Sequence, residues 1–129
     1  ILSKKITKKI NTKKEDFFRK IKKKIKIKNL KKKNIIIALG GGSFLNKKIQ
    51  KEVLKNHISF WLNWDKTIII NRIKNSSKRP VAYKAATNEL NKLIKKRSNI
   101  YAKALYKINC DGLSKIEIVN KVFDLYEAN

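Results

Sequence analysis

Apolar positions recur along this chain at two periods, and the alternation between them gives its layout. Phe17, Phe18, Ile21 and Ile25 fall at helical spacing and predict a helix over 15–28, after a lysine-rich lead-in at 1–13. A polar connection at 31–34 leads into Ile35-Ile36-Ile37-Ala38-Leu39, a β-branched run that predicts a buried strand over 35–39. Gly40, Gly41 and Gly42 end it. Asn46 then suits the cap of a helix reaching about Lys55, with Ile49, Val53 and Leu54 inward and Asn56 as a left-handed stop. His57 to Asn63 reads as a second, aromatic strand. Asp65 caps a helix that turns Ile69, Ile70 and Ile73 inward.

The second half repeats this logic. Small and polar residues around Pro80 predict a mobile lid loop over 76–86. Thr87 is positioned to cap a long helix to about Ala104, and 106–110 reads as a short third strand. After the Asp111-Gly112 turn, Ser114 and Glu117 have capping-box spacing. Ile118, Val119, Val122, Leu125 and Tyr126 continue the last helix's apolar face. The order is α-β-α-β-α-lid-α-β-α. Strands alternating with helices predict an α/β fold, a parallel sheet with helices on both faces. No internal repeat or linker divides residues 1–129, so a single domain is expected.

Composition narrows the class. With 129 residues, 42% of them hydrophobic, the chain can bury one core and is no polar disordered tail. No apolar run approaches the roughly 20 residues of a membrane span, and the first residues lack the apolar stretch of a signal peptide. Cys110 has no second cysteine to pair with, so a cytoplasmic, reducing setting is expected. The chain contains no methionine, which suggests a fragment of a longer protein.

The formal net charge of +25 raises the question of nucleic acid. Its make-up answers against a specific role: 30 of the 34 basic residues are lysines, scattered rather than gathered on one face. Lys, Ile and Asn share A/T-rich codons, so genome composition accounts for the background. No specific nucleic-acid or membrane partner is expected. His57 has no Cys or His at ligand spacing, and Cys110, Trp61 and Trp64 read as packing residues.

Against that background four arginines stand out: Arg19, Arg72, Arg79 and Arg97. Their planar forks bind a carboxylate or phosphate with two hydrogen bonds, which lysine cannot copy. Arg97 lies three residues after Ile94 and four before Tyr101, on the helix face defined by Leu90, Leu93, Ile94, Ile100 and Tyr101. A cation there calls for an anion. The candidates are a salt bridge to Asp111 or Glu89, escape of the long side chain to the surface, or an anionic ligand. Arg79, beside Pro80 in the loop, is either an ordinary solvated charge or a cation that closes over a transferring phosphoryl group.

Taken together, Phe18-Arg19 on a helix, Ile-Ala-Leu-Gly-Gly-Gly-Ser over 37–43, Lys-Arg-Pro over 78–80, and Arg97 followed by Tyr101 resemble shikimate kinase. The order and spacing hold from about Glu15 onward. The resemblance implies a P-loop kinase-like three-layer fold with a five-stranded parallel sheet. It implies ATP- and Mg²⁺-dependent phosphorylation of the shikimate 3-hydroxyl, in aromatic amino-acid biosynthesis by way of chorismate, by a monomer. Carried over residue by residue, it makes Arg19 and Arg97 the pair that holds the shikimate carboxylate. Gly40, Gly41 and Gly42 become the turn that approaches the ring, and Arg79 the lid residue on the ATP phosphates. Cys110, Asp111 and Gly112 lie near where the family places adenine, with no specific contact.

Some family features have no counterpart. No G-x-x-x-x-G-K-[ST] phosphate loop occurs, and the carboxylate that activates the acceptor hydroxyl is expected upstream of Ile1. The chain therefore carries the acceptor pocket and lid, with no catalytic or metal-binding residue of its own, and as given should not turn over. The family's first strand, expected between 35–39 and 58–62, is missing, so a complete five-stranded sheet is not expected. Lys14, Lys22 and Lys103 stand where the family has a glycine, an acidic residue and a glutamate. Leucines after Arg79-Pro80 and a proline between Arg97 and Tyr101 are absent. The alternatives are another small-molecule P-loop kinase, akin to gluconate kinase, or a basic non-catalytic binding module.

Overall fold

The computed structural model describes residues 12–76 and 86–129. Its elements are α1 (Thr12–Leu30), α2 (Lys47–Asn56), β1 (Phe60–Asn63), α3 (Lys66–Lys74), α4 (Thr87–Tyr101), β2 (Tyr106–Asn109) and α5 (Lys115–Glu127). The fold class is α/β, as expected. The chain forms two compact units, 1–50 and 51–129.

In the first unit α1 runs to Leu30, which is buried, and Asn34 turns the chain in the left-handed region (φ 56°). The predicted strand at 35–39 does not form. Ile35 and Ile36 are exposed rather than buried, Ile36 fully so. A β-branched run has strand propensity, but a strand exists only with a hydrogen-bonded neighbour, and among the described residues this run has none. The chain then turns through 41–45 and enters α2, where Asn46 caps as expected: its Oδ1 accepts from the N–H groups of Lys48 (3.1 Å) and Ile49 (3.3 Å). Ile49 and Val53 are buried, whereas Leu54 is exposed. Asn56 does not adopt the left-handed stop; it lies within the helix and donates to Glu52 (2.9 Å).

The second unit is built on a parallel two-stranded ladder, β1 beside β2, with Phe60 opposite Tyr106 and Asn63 opposite Asn109. Phe60 stacks on Tyr106 (5.4 Å between ring centroids). Strand β1 is shorter than the 57–63 expected, because only 60–63 lie opposite β2. The Tyr106 N–H donates to Ser59 and the Cys110 N–H to Asn63, so the odd-numbered residues of β1 face β2. The backbone groups of Phe60 and Leu62 therefore face the other edge, where no strand is paired among the described residues. Amide hydrogen exchange should alternate along β1, with Phe60 and Leu62 at least about tenfold faster than Trp61 and Asn63. Equal protection at all four positions would show that edge to be covered.

Local chemistry sets the helix starts. Asp65 caps α3, its Oδ1 accepting from the Thr67 N–H (2.8 Å). Ser114 and Glu117 close the expected capping box on α5, with the Glu117 N–H on Ser114 Oγ (3.2 Å) and the Ser114 N–H on Glu117 Oε2 (2.6 Å). Thr87 is not the cap of α4; that position is Ala86, with no side-chain bond, and the helix stops at Tyr101 rather than Ala104. Helix α3 packs on α4 through Ile70, Ile73 and Leu90, flanked by Ile69 and Ile94. The face predicted for α5 is only partly used: Ile118, Val122 and Leu125 are half-buried, but Val119 and Tyr126 are exposed.

The caps also carry a pH dependence. Hydrogen bonds from the Thr67 hydroxyl and N–H hold Asp65 below the usual carboxylate range, and the Ser114 N–H does the same for Glu117. A depressed folded-state pKa contributes stability above the unfolded value that is lost as pH falls through the folded one. Acidification below about pH 4 should therefore loosen the first turns of α3 and α5. The Thr67 and Glu117 amide resonances report it: both should titrate with midpoints below those of model carboxyls, and Ser114→Ala, which keeps the N–H but removes the hydroxyl, should weaken the effect at Glu117 and leave Asp65 untouched. Midpoints at the model values would contradict the cap assignment.

Candidate functional site

The glycine turn lies in the first unit and Arg97 in the second. At the turn, the Ser43 N–H donates to the Gly40 carbonyl (2.8 Å) and the Asn46 N–H to that of Ser43 (3.1 Å). Gly42 faces open space: a Cβ there would meet nothing within 4 Å. Neither Gly40 nor Gly42 needs a positive φ, so what the missing side chains supply is access to main chain. Ser43 is buried, and Lys26 of α1 donates its ammonium to the Ser43 hydroxyl. The Lys26 Nζ also lies 3.8 Å from where a Gly40 Cβ would stand. Burial, with Lys22 nearby, pushes the Lys26 ammonium below its usual range. Arg19 is exposed on α1, seven residues before Lys26. Lys26 shares a helix face with Arg19 and Lys22, but among 30 lysines that spacing alone does not distinguish it.

In the second unit Arg97 is where its periodicity put it. It is half-buried on α4, and its Nε is sealed from solvent with no hydrogen-bond partner among the described residues. The salt bridges considered for it do not form. Asp111 instead accepts from the Asp65 N–H (2.8 Å), and Glu89 is exposed in the first turn of α4. Arg72 is committed elsewhere, its guanidinium 5.0 Å from the centre of the Trp64 ring. Beyond the carboxyl end of β1 a groove of ≈ 500 Å³ is lined by Asn63, Trp64 and Asp65 and by Asn91, Ile94, Lys95 and Ser98 of α4. Asn91, which lines that groove, also has a buried Oδ1 without a partner among the described residues.

The other candidates behave as packing residues. Cys110 is buried, its thiol donating to the Ile108 carbonyl (3.4 Å), and burial pushes its pKa up. Trp61 packs against Tyr101 (6.2 Å) under the Lys107 ammonium (4.9 Å). His57 lies 3.8 Å from Glu52. Among the described residues no three His, Cys, Asp or Glu side chains gather as metal ligands, and no helix is long and apolar enough to cross a membrane. Arg79 and the rest of the lid, apart from Ser76 and Ala86, lie outside the described residues.

The Arg97 Nε is a buried donor without an acceptor among the described residues. Comparison with known proteins decides the family: the shikimate kinase profile matches residues 2–127. The chain belongs to the shikimate kinase family. The shikimate kinase of Bartonella quintana is 34% identical over 109 residues, covering 84% of this chain and 52% of that protein. That of Bacillus subtilis is 32% identical over 128 residues, covering 88% and 66%. That of Persephonella marina is 30% identical over 108 residues, covering 84% and 65%. The chain spans about half the length of the Bartonella relatives it matches. No solved structure matches.

Proposed function

We propose that this chain is the acceptor-binding part of a shikimate kinase, which transfers a phosphoryl group from ATP to the shikimate 3-hydroxyl in the cytoplasm. The observation that carries this reading is Arg97, a cation with one N–H sealed from water and unpaired, in a chain of this family. A carboxylate offers that N–H a charged acceptor, and a guanidinium can grip both its oxygens. Arg19, on α1, is a further shikimate-binding cation. The turn at Gly40, Gly41 and Gly42 takes the hydroxyl-bearing ring, with open space beside Gly42. Arg79 covers the nucleotide phosphates.

These residues bind and orient the acceptor; they do not by themselves transfer phosphate. The sequence holds no phosphate-cradling glycine loop, and the described residues gather no ligand set for Mg²⁺. When bound, the nucleotide and its metal supply the phosphoryl group and neutralise its charge.

The test is a hybrid in which this chain replaces the matching 109 residues of the Bartonella quintana enzyme. Shikimate-dependent ADP release, with no response to gluconate, is the expected result. A folded hybrid that binds ATP but ignores shikimate would refute the reading. A response to gluconate would favour a different small-molecule kinase.

A further inference from the structure

The sequence from Phe17 to Lys51 contains no aspartate or glutamate. Within it, Arg19, Lys22 and Lys26 recur at intervals of three and four, a cationic row along one face of α1. Its last member reaches the glycine turn, with the Lys26 ammonium on Ser43 Oγ and close to Gly40. A neutral hydroxyl is a poor counterpart for a partly buried ammonium, and the like charge of Lys22 worsens its position. The segment supplies no carboxylate to offset it. The arrangement is incomplete without an anion.

We propose that Lys26 is a ligand-binding residue, an ammonium fixed by Ser43 beside Gly40 that takes an oxyanion of the small molecule held at the glycine turn. The ligand class is a small organic acid or its phosphate ester. This deepens the reading of the same site given above, adding a cation on α1 to the two arginines. Ser43 sets the position of the Nζ, and the nearby charge of Lys22 adds to the positive potential an anion would meet. Binding at the turn should therefore weaken steeply with salt.

Titration of the ¹⁵N-labelled chain with shikimate and, separately, with inorganic phosphate tests this through the Gly40, Gly41 and Gly42 amides. Lys26→Gln keeps a donor for Ser43 but removes the charge, Lys26→Met removes both, and Lys26→Arg keeps both. The Gln and Met variants should bind roughly tenfold more weakly and Lys26→Arg should retain binding. In the hybrid enzyme, Lys26→Gln should raise KM for shikimate by a similar factor with kcat unchanged. Wild-type affinity in Lys26→Gln would reduce Lys26 to a tether for the turn, and glycine amides silent to both anions would also overturn the proposal. The two readings separate cleanly. Phosphate binding that depends on Lys26, without shikimate binding, supports this site and refutes the kinase. Shikimate binding indifferent to Lys26 does the reverse.

Discussion

Exchanging Arg97 for lysine in the hybrid enzyme should weaken shikimate binding about 30-fold, although the charge is kept. The loss reflects geometry: lysine offers a single point charge, whereas the fork grips both carboxylate oxygens. One charge-assisted hydrogen bond is worth about 2 kcal/mol, which sets the factor. Arg97→Met separates this from a structural role. In the free protein the Arg97 Nε is buried without a partner, so a methionine of similar length should leave stability unchanged or raise it by about 1 kcal/mol. Binding should then be lost while the melting temperature holds or rises. A variant that loses stability and binding together would make Arg97 a packing residue. Full affinity in Arg97→Lys would remove the bidentate clasp.

The residues that were legible in the sequence act locally. Asn46, Asp65 and the Ser114–Glu117 pair each satisfy backbone groups within three residues, so spacing alone determines them. The inward position of Arg97 followed from periodicity for the same reason. The failures are non-local. Residues 35–39 have the composition of a strand, but hydrogen bonding across a sheet is a property of two segments, and the neighbour is absent among the described residues. On α5, the apolar positions from Ile116 to Tyr126 span half the helix circumference. Composition cannot choose which part of so broad an arc meets β2, and Ile116, Val119, Phe123 and Tyr126 stay exposed. Asn34 and Asn56 show the same limit at the scale of one residue. Either could turn left-handed, and only Asn34 does.

The candidate site divides along the same line. That Arg97 faces inward could be read from its face of the helix. That Asp111 would not pair with it could not, because Asp111 is drawn to the Asp65 N–H across 46 residues of sequence. Lys26 was hidden by its surroundings: in a chain with 30 lysines, one more carries no weight until its ammonium is seen at the turn.

Leu90→Ala should be among the most destabilising single changes in the second unit, at about 3 kcal/mol. Leu90 is 0% exposed and lies between Ile70 and Ile73 of α3 and the half-buried Ile94 of its own helix. Deleting its branched end leaves a cavity that those β-branched neighbours, stiff at χ1, cannot close. Against a total stability of about 5–15 kcal/mol the loss is large, and it should appear as a lower urea midpoint with an unchanged slope. Leu93, 36% exposed on the same helix, supplies the control: its alanine variant should cost about 0.5 kcal/mol or a little more. Leu90→Met, which conserves volume, should recover most of the loss. Because Arg97 follows Leu90 by two helical turns on the same face, this anchor also fixes the height of the guanidinium along α4. At temperatures where Leu90→Ala remains folded, its shikimate affinity should therefore fall severalfold and be restored in Leu90→Met. Equal costs for Leu90→Ala and Leu93→Ala would mean that α4 is not held by this contact.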